Sequence, residues 1–282
     1  LFSVVWWATK PIAPPFTALI MLLGFMAFDL TSMSAVTAMT SGSVFFIYFA
    51  VYVIADVVEK SGLATRIAYW YAGKFIKNFA SIIVSAFVLT FILGFLIPSP
   101  WPRAFLLLAV FKQICNASGV DEKSFAIVGL AIFASYCPIS MSIYTGDAPL
   151  SAVVAGMTGQ TVSYMDWTLK MIIPGLLATL ITFLLIKVLF KPTESYKIDA
   201  SLMQEKLSDL GPMKRDEKVT LIWVLIATLL WMTEGIHGLN TGVVAMLTVA
   251  GMSLPFIGGV CKPANFAAVE FGAIIFIMGA IA

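Results

Sequence analysis

Long apolar runs separated by short polar breaks make up most of this chain. The runs lie at 12–30, 43–57, 80–97, 104–118, 124–142, 167–190, 219–236, 239–258 and 268–282. Runs of this length suit helices, because a membrane barrel alternates apolar and polar residues over segments of roughly ten. At 59–78 the sequence EKSGLATRIAYWYAGKFIKN interleaves Lys60, Arg66, Lys74 and Lys77 with aromatics. That pattern predicts a helix lying on the membrane surface. The one sizeable polar stretch is 191–218.

Composition turns these helices into an integral membrane protein. The 282 residues are 60% hydrophobic and 11% charged, whereas a soluble domain carries about 25% charged residues. The net charge of +2 points to no nucleic-acid partner. Cys115, Cys137 and Cys261 show no paired or metal-binding spacing, and His237 is the single histidine. Metal centres, cofactor sites and clustered acid–base catalysis are therefore not expected, and no catalytic residue is predicted.

Charge also orients the chain. Four Lys/Arg in 58–79 and six in 191–218 assign both segments to the cytoplasm. That assignment requires 80–118 to enter and return as a re-entrant hairpin, and 124–165 to act as one broken span. Residues 7–19, WATKPIAPPFTAL, align with 231–243, WMTEGIHGLNTGV, with Trp7/Trp231, Thr9/Thr233, Ile12/Ile236 and Thr17/Thr241 identical. The crossing count inverts the second copy, as in many secondary transporters. The expected organisation is a first repeat over 1–190, a cytoplasmic linker over 191–218, and the start of a second inverted repeat over 219–282. Within the first repeat lie scaffold spans at 1–58, the surface helix at 59–78, the hairpin at 80–118, the broken helix at 124–165 and a span at 167–190. Two complete copies at this spacing would need about 450 residues, so the second repeat is expected to be incomplete.

The hairpin tip reads LIPSPWPRA, 96–104, with Pro98, Pro100 and Pro102 followed by Arg103. Proline removes a backbone donor, and non-helical backbone is tolerated at membrane depth only against protein or water. An arginine at the bilayer centre costs from about 3 to above 10 kcal/mol. Arg103 reads either as an anion contact facing a watery cavity, with Ser99 beside it, or as an interfacial residue reaching headgroups. The second break, ASYCPISMSIYTGDAPLSAVVAG at 134–156, combines Pro138, Gly146 and Pro149 with the hydroxyls of Ser140, Ser142, Thr145 and Ser151. Freed carbonyls there can hold a cation, and a half-helix starting near Ala148 can face an anion. Asp147 can pair with Arg103, bind a cation, carry a proton, or simply cap an external turn. Asp56 and Glu59 read as exposed pairs beside the surface helix.

At these positions the chain resembles the divalent anion/sodium symporter family of the ion transporter superfamily. EKSGLATRIAYW is similar to that family's surface-helix signature. PSPWPR resembles the hairpin tip of its exchanger-like di- and tricarboxylate branch, which reads Pro-Ser-Asn-Thr-Ala-Arg. YTGDAPLS is similar to the break of the following helix, and LGPMKRDEKVTLIWVLIATLLWMTEGIHGLN to the segment opening the second repeat. Pro98, Ser99 and Arg103 match the tip, while Pro100 and Trp101 stand where the family has Asn and Thr. Thr145, Ala148 and Pro149 match the second motif, and Leu150 and Ser151 take the place of its Asn.

The resemblance implies a multi-pass cell inner (plasma) membrane transporter moving di- or tricarboxylates by elevator-type alternating access. It implies a homodimer in the lipid bilayer and no organic cofactor. The implied substrate-binding set is Ser99, Pro100, Trp101, Arg103, Thr145, Gly146, Ala148, Pro149 and Ser151, with Thr145 and Asp147 at ion or proton coupling. Sodium is the implied coupling ion of the symporters. The fixed charge of Arg103 would favour exchange instead. A sodium/proton or metalloid-type antiporter of the same superfamily is the alternative, with Asp147 as its titrating group.

Overall fold

Prolines and small polar caps set where the helices begin. The computed structural model describes residues 2–37, 40, 42–97, 99–147, 150–151, 154–155, 162–199 and 201–281. The early helices are α1 (Phe2–Thr9), α2 (Pro14–Ala27), α3 (Met33–Val36), α4 (Ser43–Ser61), α5 (Leu63–Phe75), α6 (Phe79–Gly94) and α7 (Pro100–Ala117). They are followed by α8 (Glu122–Ser142), α9 (Tyr164–Leu189), α10 (Ser201–Asp209), α11 (Arg215–Met232) and α12 (Glu234–His237). Helix α13 (Thr241–Ser253), a 3₁₀ turn (Pro263–Ala268) and α14 (Phe271–Ile281) complete the order. No strand occurs among the described residues; the fold is all-α.

Local chemistry accounts for the starts. Pro14 and Pro15 open α2, where a missing N–H costs nothing. Side-chain oxygens of Asn78, Asp121, Ser163 and Asn240 accept first-turn N–H groups of α6, α8, α9 and α13. The 21 and 26 residues of α8 and α9 are long and apolar enough to cross a membrane, rising about 31 and 39 Å. Helices α2, α6, α13 and α14 are apolar but shorter.

The boundaries depart from the sequence reading in four places. Helix α4 runs on to Ser61, so the amphipathic helix starts only at Leu63, after Gly62 at φ 82°. The second hairpin arm begins at Pro100 rather than near 104, because Pro100 and Pro102 occupy the first turn, where no intrahelical N–H is needed. Pro138 does not break α8, which continues to Ser142. There the Ser142 hydroxyl donates to the Pro138 carbonyl at 2.8 Å. The fourth departure is in 191–218, which is strapped down rather than free.

Several contacts make that strap. The Ile198 N–H donates to the Lys77 carbonyl at 3.2 Å, and the Asp199 N–H to the Ser118 hydroxyl at 3.1 Å. The Thr193 and Tyr196 hydroxyls both donate to Asp121. Met203 of α10 is fully buried, and Gln204 donates to the Gly73 carbonyl of α5 at 2.9 Å. At the far end Arg66 donates to Glu217 and to the Gly211 carbonyl, each at 2.8 Å.

Two packing groups organise the helices. Helix α8 packs against α6, α7 and α9, and the hairpin arms α6 and α7 pack on each other. Helix α4, with Tyr48, Ala50, Val51 and Val53 wholly enclosed, packs against α13, as α2 packs against α14. The aligned Trp and Thr pairs make matching contacts. Thr9 and Thr233 each donate to the carbonyl four residues earlier, at 2.8 and 2.7 Å. The Trp7 and Trp231 indoles each donate to a carbonyl in the first turn of the next apolar helix, Pro14 at 3.2 Å and Thr241 at 3.1 Å.

Candidate functional site

The hairpin tip and the break after α8 meet at one side chain. Ser99 is the extended residue before α7, and the helix's first turn carries Arg103 inward. Arg103 is 0% exposed and the largest fully buried side chain described. Its Nε donates to the Ser99 carbonyl at 3.2 Å. Its Nη2 donates to the Ser140 hydroxyl and to the Gly146 carbonyl, both at 2.6 Å. Nη1 has no partner, and no carboxylate among the described residues lies within ion-pair distance.

Two glycines make this arrangement possible. A Cβ on Gly94 would sit 2.7 Å from Arg103 Nη1, so only glycine at the end of α6 leaves room for the guanidinium. A Cβ on Gly146 would meet the Ser140 carbonyl at 2.4 Å. Gly146 therefore lets the chain fold tightly over the end of α8, where its N–H donates to the Ile143 carbonyl at 2.8 Å. The turn Ile143–Asp147 thus presents a carbonyl to Arg103 that a regular helix would have consumed.

The remaining break residues hold that turn in place. Thr145 is buried within this turn, as is Tyr164 at the start of α9. The Trp167 indole donates to the Met141 carbonyl at 2.9 Å, clamping the end of α8. Asp147 forms no ion pair with Arg103. Its carboxylate accepts the Leu150 N–H at 3.4 Å and its carbonyl the N–H of buried Ser151 at 2.9 Å, which makes it the start of the next helical segment. Ala148 and Pro149, like Pro98, lie outside the described residues.

Ser99 and Trp101 line a cavity of about 910 Å³ between α4, α5, the first turn of α7 and the segment before α14. Arg103 is not in that lining but is enclosed behind it. Pro100 is buried, whereas Trp101 is 53% exposed and stacks on Phe105 at 6.3 Å. The opposite wall holds Asp56, Glu59 and Glu270. Asp56 does pair with Lys60, at 2.7 Å, but it also accepts from Asn265 at 2.7 Å and faces the cavity rather than open solvent. Ser140 and Gly94 are as close to Arg103 as any predicted residue. The hydroxyl-rich break hinted at Ser140, while Gly94 had only the signal of a glycine closing an apolar helix. Among the described residues no group of His, Cys, Asp and Glu can hold a metal ion.

Comparison with known proteins adds a second line of evidence. The model of the family described as the sodium:sulfate symporter transmembrane region matches residues 1–258. The chain is 31% identical over 212 residues to a chloroplastic dicarboxylate transporter of Spinacia oleracea, covering 71% of this chain and 37% of that protein. It is 28% identical over 206 residues to the putative malate transporter YflS of Bacillus subtilis, covering 69% and 43%. It is 25% identical over 254 residues to the sodium-dependent dicarboxylate transporter SdcS of Staphylococcus saprophyticus, covering 83% and 48%. The chain spans less than half the length of each of these three relatives, all of them named as transporters rather than enzymes.

Proposed function

The chain belongs to the sodium:sulfate symporter transmembrane family, and on that premise we propose that it forms part of a secondary active transporter of di- or tricarboxylates that works by exchange. The observation that carries the reading is Arg103. A buried guanidinium without a carboxylate is costly, and here it binds the hairpin tip to the broken helix through three oxygens. Its Nη2 lies 2.6 Å from a hydroxyl and 2.6 Å from a backbone carbonyl, a place where a small cation would otherwise be held. Fixed positive charge there attracts a carboxylate to the tip without a co-transported ion, and Ser99 offers it a path from the cavity. In this reading Thr145 and Gly146 shape the pocket from the broken-helix side.

The family names and the relatives' names support anion transport, and the dicarboxylate relatives support the substrate class. The matching Trp and Thr contacts, together with the reciprocal packing of α2 on α14 and α4 on α13, support an inverted repeat with 1–190 as its first copy. Such repeats rock against each other to expose one site to each side in turn.

Labelled succinate or citrate uptake by the complete transporter in proteoliposomes tests this. Exchange requires uptake into vesicles preloaded with dicarboxylate, none into empty ones, and no change when potassium replaces sodium. Accumulation in empty vesicles driven by a sodium gradient would overturn exchange. Indifference to every di- and tricarboxylate would overturn the substrate class.

A further inference from the structure

The outer face of α9 exposes Leu180, Ile181, Leu184, Leu185, Val188 and Leu189, a stripe suited to acyl chains. Nearly half a turn round α9 from that stripe, a groove of about 360 Å³ lies between the first turns of α6 and the last turns of α9. Its floor is apolar, with Val84, Phe183, Ile186 and Phe190, and its rim carries Lys187 and Lys191. Lys77 and Lys197 stand close by, since Asn78 bridges to Lys197 and the Lys77 carbonyl accepts from Ile198. All four lysines are exposed, and none forms an ion pair among the described residues. Glu194 is the single acid in the lining. The positive end of the α6 dipole, at Asn78 and Ala80, faces the same space.

We propose that this groove binds an anionic phospholipid from the leaflet on the lysine-rich side. One acyl chain lies along Val84, Phe183 and Ile186, and the phosphodiester meets the ammoniums of Lys187 and Lys191. Val84 and Phe190 of the lining are themselves 42% and 43% exposed, so the floor opens sideways to the bilayer, which brings a lipid in laterally and leaves a free phosphate without its larger contact. The basic rim discriminates among lipids, because each lysine near an anionic headgroup contributes about fivefold in affinity. The ligand fastens α6 to α9 and to the strap that follows, and so braces the hairpin against the helix beyond the break.

Native mass spectrometry of the detergent-purified chain, supplied with phosphatidylglycerol and phosphatidylcholine of identical acyl composition, tests the proposal. Phosphatidylglycerol should be retained on the order of twentyfold better. The advantage should fall to about onefold in Lys187→Gln/Lys191→Gln and survive in Lys187→Arg/Lys191→Arg. Lys170→Gln, which removes an exposed lysine near the start of α9, should leave it unchanged. Equal retention of the two lipids overturns the proposal, as does undiminished preference in the double Gln variant. If glycerol 3-phosphate alone displaces the bound lipid as well as phosphatidylglycerol does, the apolar groove has no part in binding, and the proposal also fails. Should the Gln variant not fold, Val84→Trp, which fills the groove and keeps both lysines, must abolish retention for the proposal to stand.

Discussion

Arg103 Nη2 donates to the carbonyl of Gly146 at 2.6 Å, which ties the first turn of α7 to the turn that ends α8. That one bond joins two segments separated by 43 positions in the chain. It gives the enclosed guanidinium a backbone acceptor from the turn that also carries Asp147. Arg103→Ala leaves the Ser140 hydroxyl and the Gly146 carbonyl unpaired, at a cost of about 1–3 kcal/mol each. Carboxylate exchange by the complete transporter should fall by about two orders of magnitude, since tip and break lose their mutual positioning. Arg103→Lys keeps a charge but not the fork and should retain intermediate activity. Exchange unaffected by Arg103→Ala would remove Arg103 from the site.

Gly94 tests the same arrangement from the other side. Gly94→Ala places a methyl 2.7 Å from Arg103 Nη1, and should destabilise the chain by about 1–3 kcal/mol through overpacking. Because both changes act on one guanidinium, Gly94→Ala with Arg103→Lys should be clearly less harmful than the sum of the two. Thermal unfolding in detergent gives all three values, and strict additivity would show that the glycine and the arginine are not coupled.

The Arg66–Glu217 pair is nearly enclosed, with side-chain exposures of 11% and 3%. Glu217 also accepts the Lys214 N–H at 2.7 Å, so it caps α11 while it holds α5. Glu217→Ala strands a buried guanidinium and should cost about 3 kcal/mol. Hydrogen exchange should rise in 210–214, where the Arg66 guanidinium bonds the Leu210, Gly211 and Pro212 carbonyls. Unchanged exchange there, with unchanged unfolding, would show that the strap is held elsewhere.

At the α7–α8 corner, outside the spans, the Thr193 and Tyr196 hydroxyls and then the Ser124 hydroxyl hold the Asp121 carboxylate well below its ordinary value. A depressed pKa means that the unfolded state takes up the proton first. The contribution is therefore complete at neutral pH and is lost as pH falls below about 4. Exchange of amides in 191–199, corrected for intrinsic rates, should accelerate on acidification through that range. Asp121→Asn should show faster exchange at pH 7 and no further acid step. An acid step that survives in Asp121→Asn would assign it to another group.

Much of the fold could be read directly from the residues. Uninterrupted apolar runs cannot be anything but buried or lipid-facing helices, and Asn78, Asp121, Ser163 and Asn240 mark where four of them start. Helix ends were less legible. Pro100 and Pro102 looked like a loop, yet proline is as comfortable in a first helical turn as outside it. Pro138 looked like a break, yet the chain stays helical for four more residues. Polarity misled at 191–218, where acceptors far away in the chain, on Gly73, Lys77, Ser118 and Asp121, fasten the strap.

Residue chemistry alone specifies a membrane-embedded, all-helical chain with two chemically odd breaks and a charge too costly to leave unexplained. Those properties follow from composition and local backbone chemistry, which each residue carries with it. What the charge touches depends instead on helix packing. Ser140 and Gly146 meet Arg103 because α8 lies against α7 and its last turn folds back, and Gly94 admits the guanidinium because α6 crosses at that point. Close approach between distant segments depends on how helices pack, and a missing Cβ matters only where something comes near enough to need the space.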